Sequence, residues 1–130
     1  MRILIDTHAW IWWLSQPTRL KAEAVTLLSD PATTAYLSAA SVWEIVIKHG
    51  LGKLTLPAAP EVLVPRAMAE DGFVALAIEH RHVLQVAQLP PVHRDPFDRV
   101  IIAQAQVEGL PILTADETFS SYAVTVLAAA

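Results

Sequence analysis

The sequence predicts an α/β fold: a three-layer α/β/α sandwich around a mainly parallel central sheet, in which residues 1–130 form a single domain. Three observations predict it. Apolar runs of strand length alternate along the chain with segments of about ten residues that carry helical spacing. The first run, Ile3-Leu4-Ile5, is continuously apolar and rich in β-branched residues, the pattern of a strand covered on both faces. With 130 residues, 54% apolar and 17% charged, the chain has enough material for one sizeable core but not for two.

Each element follows from its local sequence. Ile3 to Ile5 is the first strand, and Asp6-Thr7 turns the chain. Ala9 to Leu14 reads as a helix with Trp10, Trp13 and Leu14 on one face and Trp12 turned elsewhere. Leu20 to Leu28 is a second helix, with Ala22, Val25 and Leu28 at helical spacing and an end at Asp30-Pro31. Thr34 to Leu37 is the next strand. Ser41 to Lys48 is a helix halted by Gly50 and Gly52; Ser41-x-x-Glu44 reads as its capping box and Trp43 as a packing anchor. After the turn at Pro57 to Pro60, Glu61 to Glu70 is helical, Phe73 to Leu76 strand-like and Glu79 to Gln88 helical. Within that last helix His80-Arg81-His82 reads as surface, because residues two apart on a helix face different ways. Asp95-Pro96 opens a helix that runs to Glu108, with Asp95 as N-cap, proline at the first position and Gly109 closing it. Pro111 to Thr114 and Val124 to Leu127 are the remaining strands.

Composition removes several classes of function. Nine Lys+Arg against thirteen Asp+Glu give a net charge of −4, so the surface as a whole is not one that binds nucleic acid by bulk attraction, although a local basic groove remains open. The chain has no cysteine, which excludes disulfide frameworks, zinc fingers and thiol nucleophiles and suits a reducing cytoplasm. Its apolar stretches fall far short of the roughly 20 residues that cross a bilayer, and Asp6 and His8 interrupt the start before a signal peptide is complete.

In an open parallel sheet, ligands bind outside the carboxyl ends of the strands. Asp6 and Asp116 each lie just beyond such an end, while Glu44 and Asp98 lie in the first turns of helices, so four carboxylates are expected to converge. Each also has a structural reading, since acids at helix starts cap and complement the helix dipole. Together they flank the most hydrophobic parts of the chain, where unrelieved negative charge is costly. A divalent cation relieves it. Carboxylate oxygens without Cys or an evident His pair suit Mg²⁺ or Mn²⁺ rather than zinc. Without these four acids the formal charge moves from −4 to 0.

Four blocks then carry a family resemblance: Ile3-Leu4-Ile5-Asp6-Thr7-His8; Leu37 to Ile45 with Lys48 and Gly52-Lys53-Leu54; His93-Arg94-Asp95-Pro96-Phe97-Asp98-Arg99 with Ile102-Ala103; and Leu113-Thr114-Ala115-Asp116. In this order, over almost the entire chain, they resemble the PIN-domain family, and more narrowly its VapC-type toxins of bacterial toxin–antitoxin pairs. The resemblance implies a metal-dependent endoribonuclease with Asp6, Glu44, Asp98 and Asp116 as catalytic and metal-binding residues. Asp95 is either a further ligand or the helix cap. Thr7 and Thr114 either orient water or a carboxylate or satisfy backbone groups at the strand ends. Hydrolysis would use one or two Mg²⁺, or Mn²⁺, to make water nucleophilic, leaving 5′-phosphate and 3′-hydroxyl ends. Lys48, Lys53, Arg94 and Arg99 lie near the acid-bearing segments and are candidates for holding the RNA backbone, or else are solvated or paired with acids. His8 and His93, beside proposed ligands, are read as hydrogen-bonding or packing residues. The resemblance further implies an RNA substrate, with tRNA and rRNA the first classes to test, a small antitoxin partner, a homodimer and a cytoplasmic setting without a membrane.

Two other readings compete. A receiver or haloacid-dehalogenase-like phosphatase also gathers acids and Mg²⁺ at strand ends, but the first wants paired acids after its first strand and the second wants Asp-x-Asp, where this chain has Asp6-Thr7-His8. The other is a module of the same fold that binds RNA or protein without cleaving.

Overall fold

A computed structural model describes residues 1–130. The central sheet has five strands, β1 (Arg2–Ile5), β2 (Thr34–Ser38), β3 (Val74–Leu76), β4 (Ile112–Thr114) and β5 (Val126–Ala128), in the order β3-β2-β1-β4-β5. Every neighbouring pair is parallel, with Ile5 opposite Leu37 on one side and Leu113 on the other. Six helices surround it: α1 (Thr7–Ser15), α2 (Ala22–Ser29), α3 (Ala39–Gly50), α4 (Pro60–Asp71), α5 (His80–Val86) and α6 (Pro96–Glu108). Two 3₁₀ turns, Pro17–Arg19 and Glu117–Ser121, complete the chain. No helix is long and apolar enough to cross a membrane.

The alternation of side chains along β1 divides the core into two layers. Ile3 and Ile5 point to one side, where Trp10 of α1, Ala24 of α2 and Val64 and Ala67 of α4 pack, and Trp10 meets Phe73 edge to face with ring centroids 6.2 Å apart. Leu4 points to the other, against Ile101, Ile102 and Ala105 of α6 with Phe119 and Tyr122. All three strand residues are fully buried, as a strand between two helical layers must be. Gly109, at φ 66°, closes α6 in the left-handed conformation and returns the chain to β4.

Several local expectations are corrected. Helix α3 is capped by Ser38, whose hydroxyl accepts from Ala40 N at 3.0 Å, and not by Ser41. The last residue of β2 already has the extended backbone a cap requires, so the helix starts three residues before the expected box. Trp43 is 59% exposed and packs edge to face with Phe97, ring centroids 5.1 Å apart, because Ser41, Glu44 and Ile45 occupy the inward face of α3. His82 is 0% exposed. Its Nδ1 accepts from Glu79 N at 3.0 Å and its Nε2 lies 2.9 Å from Glu108 on α6, so the burial is satisfied by hydrogen bonds that tie α5 to α6.

Candidate active site

Strand order places this site. The chain runs outward from β1 through β2 to β3 and then crosses to β4 and β5, so the direction of travel reverses between β1 and β4. The carboxyl ends of those two strands flank the switch point where open α/β sheets form their ligand crevice. Asp6 leaves β1 and Asp116 follows β4.

Asp6 is buried and held from both sides. Its Oδ1 accepts from Thr7 N at 2.7 Å, and its Oδ2 accepts from the Thr114 hydroxyl at 2.9 Å. The Asp6 N–H donates to Leu113 O at 2.9 Å, joining the two strand ends directly. Thr114 also accepts from Asp116 N at 3.0 Å, so a single hydroxyl positions both acids. The Thr7 hydroxyl donates to Ser41 Oγ at 2.8 Å, linking α1 to α3. Ser41, released from capping, thus sits inside the site framework.

Glu44 projects from the same face of α3 one turn later. Its Oε2 lies 2.5 Å from Lys48 Nζ, while its Oε1 is buried with no hydrogen-bond partner. Asp95 caps α6, its Oδ1 accepting from Phe97 N and Asp98 N at 2.8 and 3.2 Å. Asp95 is thus the helix cap, and its charge also repels that of Asp98. Asp116 caps the following 3₁₀ turn through Thr118 N at 2.9 Å.

His93 gathers two of the acids. Its Nδ1 accepts weakly from Asp95 N at 3.3 Å, which leaves a proton on Nε2, 2.9 Å from Asp98 Oδ2 and 3.2 Å from Asp116 Oδ2. Tyr122 Oη accepts from His93 N at 2.6 Å and Phe119 stands edge-on to the imidazole. The sequence reads His93 as a hydrogen-bonding or packing residue beside proposed ligands, and the structure shows which acids it joins.

The electrostatics follow from this crowding. Burial, followed by repulsion from Asp6, Asp95, Glu44 and Asp116, pushes the Asp98 carboxyl up to about 8. Burial also raises Asp6, against the opposing hydrogen bond from Thr114. Asp116 is pulled upward by burial, but the Thr118 and His93 hydrogen bonds together outweigh it and hold the carboxyl below its ordinary value. The hydrogen bond to Glu44 raises Lys48, with Asp95 and Asp98 adding attraction.

The basic candidates divide. Lys48 and Lys53 line a groove beside Glu44, and Arg94 is exposed. Arg99 is otherwise occupied: its guanidinium donates to the carbonyls of Pro90 and His93 at 3.0 and 3.3 Å and reaches those of Val86 and Leu89. It organises the loop that carries His93, which corrects the expectation of a side chain available to RNA. His8 is exposed beside Asp6, whose charge it attracts.

The donor set fits a hard divalent cation. Asp98 and Asp116 meet at His93, Asp6 and Glu44 lie within electrostatic reach of Asp98, and the buried Glu44 Oε1 lacks any partner. Fold and site together define a parallel α/β protein with a carboxylate cluster at the switch point of its sheet. The chain belongs to the PIN domain family, whose signature matches residues 3–124. Ribonuclease VapC16 of Mycobacterium tuberculosis is 40% identical over 68 residues, covering 49% of this chain and 48% of that protein, so the match spans about half the length of the relative. Among solved structures, VapBC2 from Rickettsia felis bound to a promoter DNA fragment contains a similar chain with TM-score 0.74 and 12% identity, covering 98% of each. FitAcB from Neisseria gonorrhoeae contains another, with TM-score 0.64 and 23% identity over 98% of this chain and 97% of that one. At such identities the likeness is one of fold.

Proposed function

We propose that this protein is a metal-dependent endoribonuclease and the toxin of a toxin–antitoxin pair. The observation that carries the reading is the gathering of Asp98 and Asp116 around His93 at the switch point of the sheet, within electrostatic reach of Asp6, Glu44 and Asp95. Similarity to a ribonuclease supports the reaction class, and the shared fold with a chain of a toxin–antitoxin complex from Klebsiella pneumoniae supports a protein partner. A homodimer and a cytoplasmic setting belong to the same reading.

Asp6, Glu44, Asp98 and Asp116 would hold Mg²⁺ or Mn²⁺, with Asp95 at the margin. When bound, the cation supplies Lewis acidity to the phosphodiester and lowers the pKa of water. The chain's own residues set the geometry. Thr114 and the Thr7 N–H fix the Asp6 carboxylate, His93 draws Asp98 towards Asp116, and Lys48 offsets the charge of Glu44. In the net reaction water adds to phosphorus and the P–O3′ bond breaks, giving a 5′-phosphate and a 3′-hydroxyl. No protein nucleophile is required.

The test is incubation of end-labelled tRNA and rRNA with antitoxin-free protein in Mg²⁺, Mn²⁺ or EDTA, alongside Asp98→Asn, with product ends mapped. Discrete metal-dependent cuts bearing 5′-phosphates, absent in the variant, are expected. Products ending in 2′,3′-cyclic phosphate would overturn the mechanism, because the RNA's own 2′-hydroxyl would then be the nucleophile. Metal binding without cleavage across a broad RNA panel would instead favour a non-catalytic binding module.

A further inference from the structure

Every polar atom of His93 is engaged, by five different residues. Its main-chain N–H donates to Tyr122 Oη at 2.6 Å, and its carbonyl accepts from Arg99 Nη1 at 3.3 Å. On the ring, Nδ1 accepts from Asp95 N at 3.3 Å, and Nε2 lies 2.9 Å from Asp98 Oδ2 and 3.2 Å from Asp116 Oδ2. The loop that carries this residue has little of its own to hold it in place. Pro90 and Pro91 have no N–H to donate, and Leu89 is the only buried side chain between Ala87 and Arg94.

Two residues outside the loop fix its main chain. Arg99 follows Asp98 in sequence, yet it takes part in none of the chain's ion pairs. Its donors go instead to the carbonyls of Val86 and Leu89, at and just beyond the end of α5, and to those of Pro90 and His93. Tyr122 is buried in the core layer of α6 with Leu4 and Phe119, so its hydroxyl stands on a packed base. With N–H and C=O both held, His93 directs its imidazole to Asp98 of α6 and Asp116 beyond β4. Those two acids repel each other, and one ring N–H brings an oxygen of each to the same place. Carboxylates hold a cation best when hydrogen bonds from other residues have already oriented them, and loss of such a partner typically costs about 10–100-fold in metal affinity.

We propose that Arg99 and Tyr122 are positioning residues for the carboxylate cluster: by fixing the His93 main chain they make its imidazole hold Asp98 and Asp116 side by side, and the cluster's affinity for a divalent cation depends on them. This rests on the metal-dependent nuclease reading and adds to it two residues that act only through His93. Neither has to touch the cation or the RNA.

The test is calorimetric titration of Mn²⁺ into the full chain freed of metal. Tyr122→Phe, which removes one oxygen and keeps the buried ring, and Arg99→Gln are each expected to weaken Mn²⁺ binding about tenfold. In a His93→Ala background, itself weakened, either substitution is expected to change affinity by less than about twofold, because no imidazole remains to be held. A merely structural role would take the same factor from both backgrounds. Proton–nitrogen spectra of metal-free protein give a second readout: the His93 Nε2–H resonance, identified by its loss in His93→Ala, should exchange with water faster in Tyr122→Phe. Parent affinity in Tyr122→Phe, equal losses in both backgrounds, or no Mn²⁺ binding by the parent would overturn the proposal. Should Arg99→Gln fail to fold, Tyr122→Phe carries the test. Cleavage of RNA separates the two levels. Loss of Mn²⁺ affinity through His93 without any cutting keeps the positioning role and removes the nuclease; cutting by Tyr122→Phe with the parent's kcat and Mn²⁺ affinity keeps the nuclease and removes the positioning role.

Discussion

At Asp98 burial and like charge both oppose ionisation. An acid whose pKa is raised on folding binds its proton more tightly in the folded state. Its contribution is present below the unfolded value, 3.8, and is lost as pH rises through the folded value, about 8. Metal-free protein is therefore expected to lose stability between about pH 5 and pH 8. Asp98→Asn should flatten that loss and stabilise metal-free protein at pH 8 by on the order of 1–3 kcal/mol, while abolishing cleavage. Urea titrations in EDTA at the two pH values check this, and an unchanged slope in the variant would assign the proton elsewhere. Asp6 and Asp116 beside strand ends and Asp98 in the first turn of α6 were legible, as positions set by nearby sequence, whereas Glu44 lies in the second turn of α3 and not the first, because the helix starts earlier than its sequence indicates. The burial of His82 and the capture of Arg99 by loop carbonyls were not legible, because each depends on elements that meet only in the folded chain.

The helices were legible as periodic segments, and α6 begins and ends where Asp95-Pro96 and Gly109 place it. The start of α3 was less so, because Ser38 and Ser41 both resemble caps and only the backbone conformation distinguishes them. Ser38 is the cap and also donates to Gln104 Oε1, whose amide in turn reaches Ala77 O. Loss of its hydroxyl leaves a helix N–H and a buried amide oxygen without partners. Ser38→Ala is accordingly expected to cost about 1–3 kcal/mol of unfolding free energy. Ser41→Ala removes the partner of the Thr7 hydroxyl instead, and its effect should fall more on cleavage than on the stability of α3. Chemical denaturation paired with hydrogen exchange at Ala40 distinguishes the two. Faster exchange at Trp43 and Glu44 in Ser41→Ala, with no change at Ala40 in Ser38→Ala, would restore the expected box.

At the scale of the molecule, alternating strands and helices indicated a parallel sheet, but the order β3-β2-β1-β4-β5 has no local signature and arises from long-range pairing. That order puts the acids at the switch point, and the fold thereby concentrates charge that its own interior resists. A divalent cation and the Asp98 proton compete for this space, so metal binding must release a proton wherever Asp98 is protonated beforehand. Apparent affinity for Mg²⁺, and with it the stabilisation that a fixed excess of Mg²⁺ gives, should therefore rise from pH 6 towards pH 8; a tenfold gain in affinity adds about 1.4 kcal/mol under saturating excess. Thermal unfolding with and without Mg²⁺ at those two pH values measures it, with Asp6→Asn as the control in which the Mg²⁺ shift should nearly disappear. Equal Mg²⁺ shifts at both pH values, or a full shift in Asp6→Asn, would place the cation outside the carboxylate cluster.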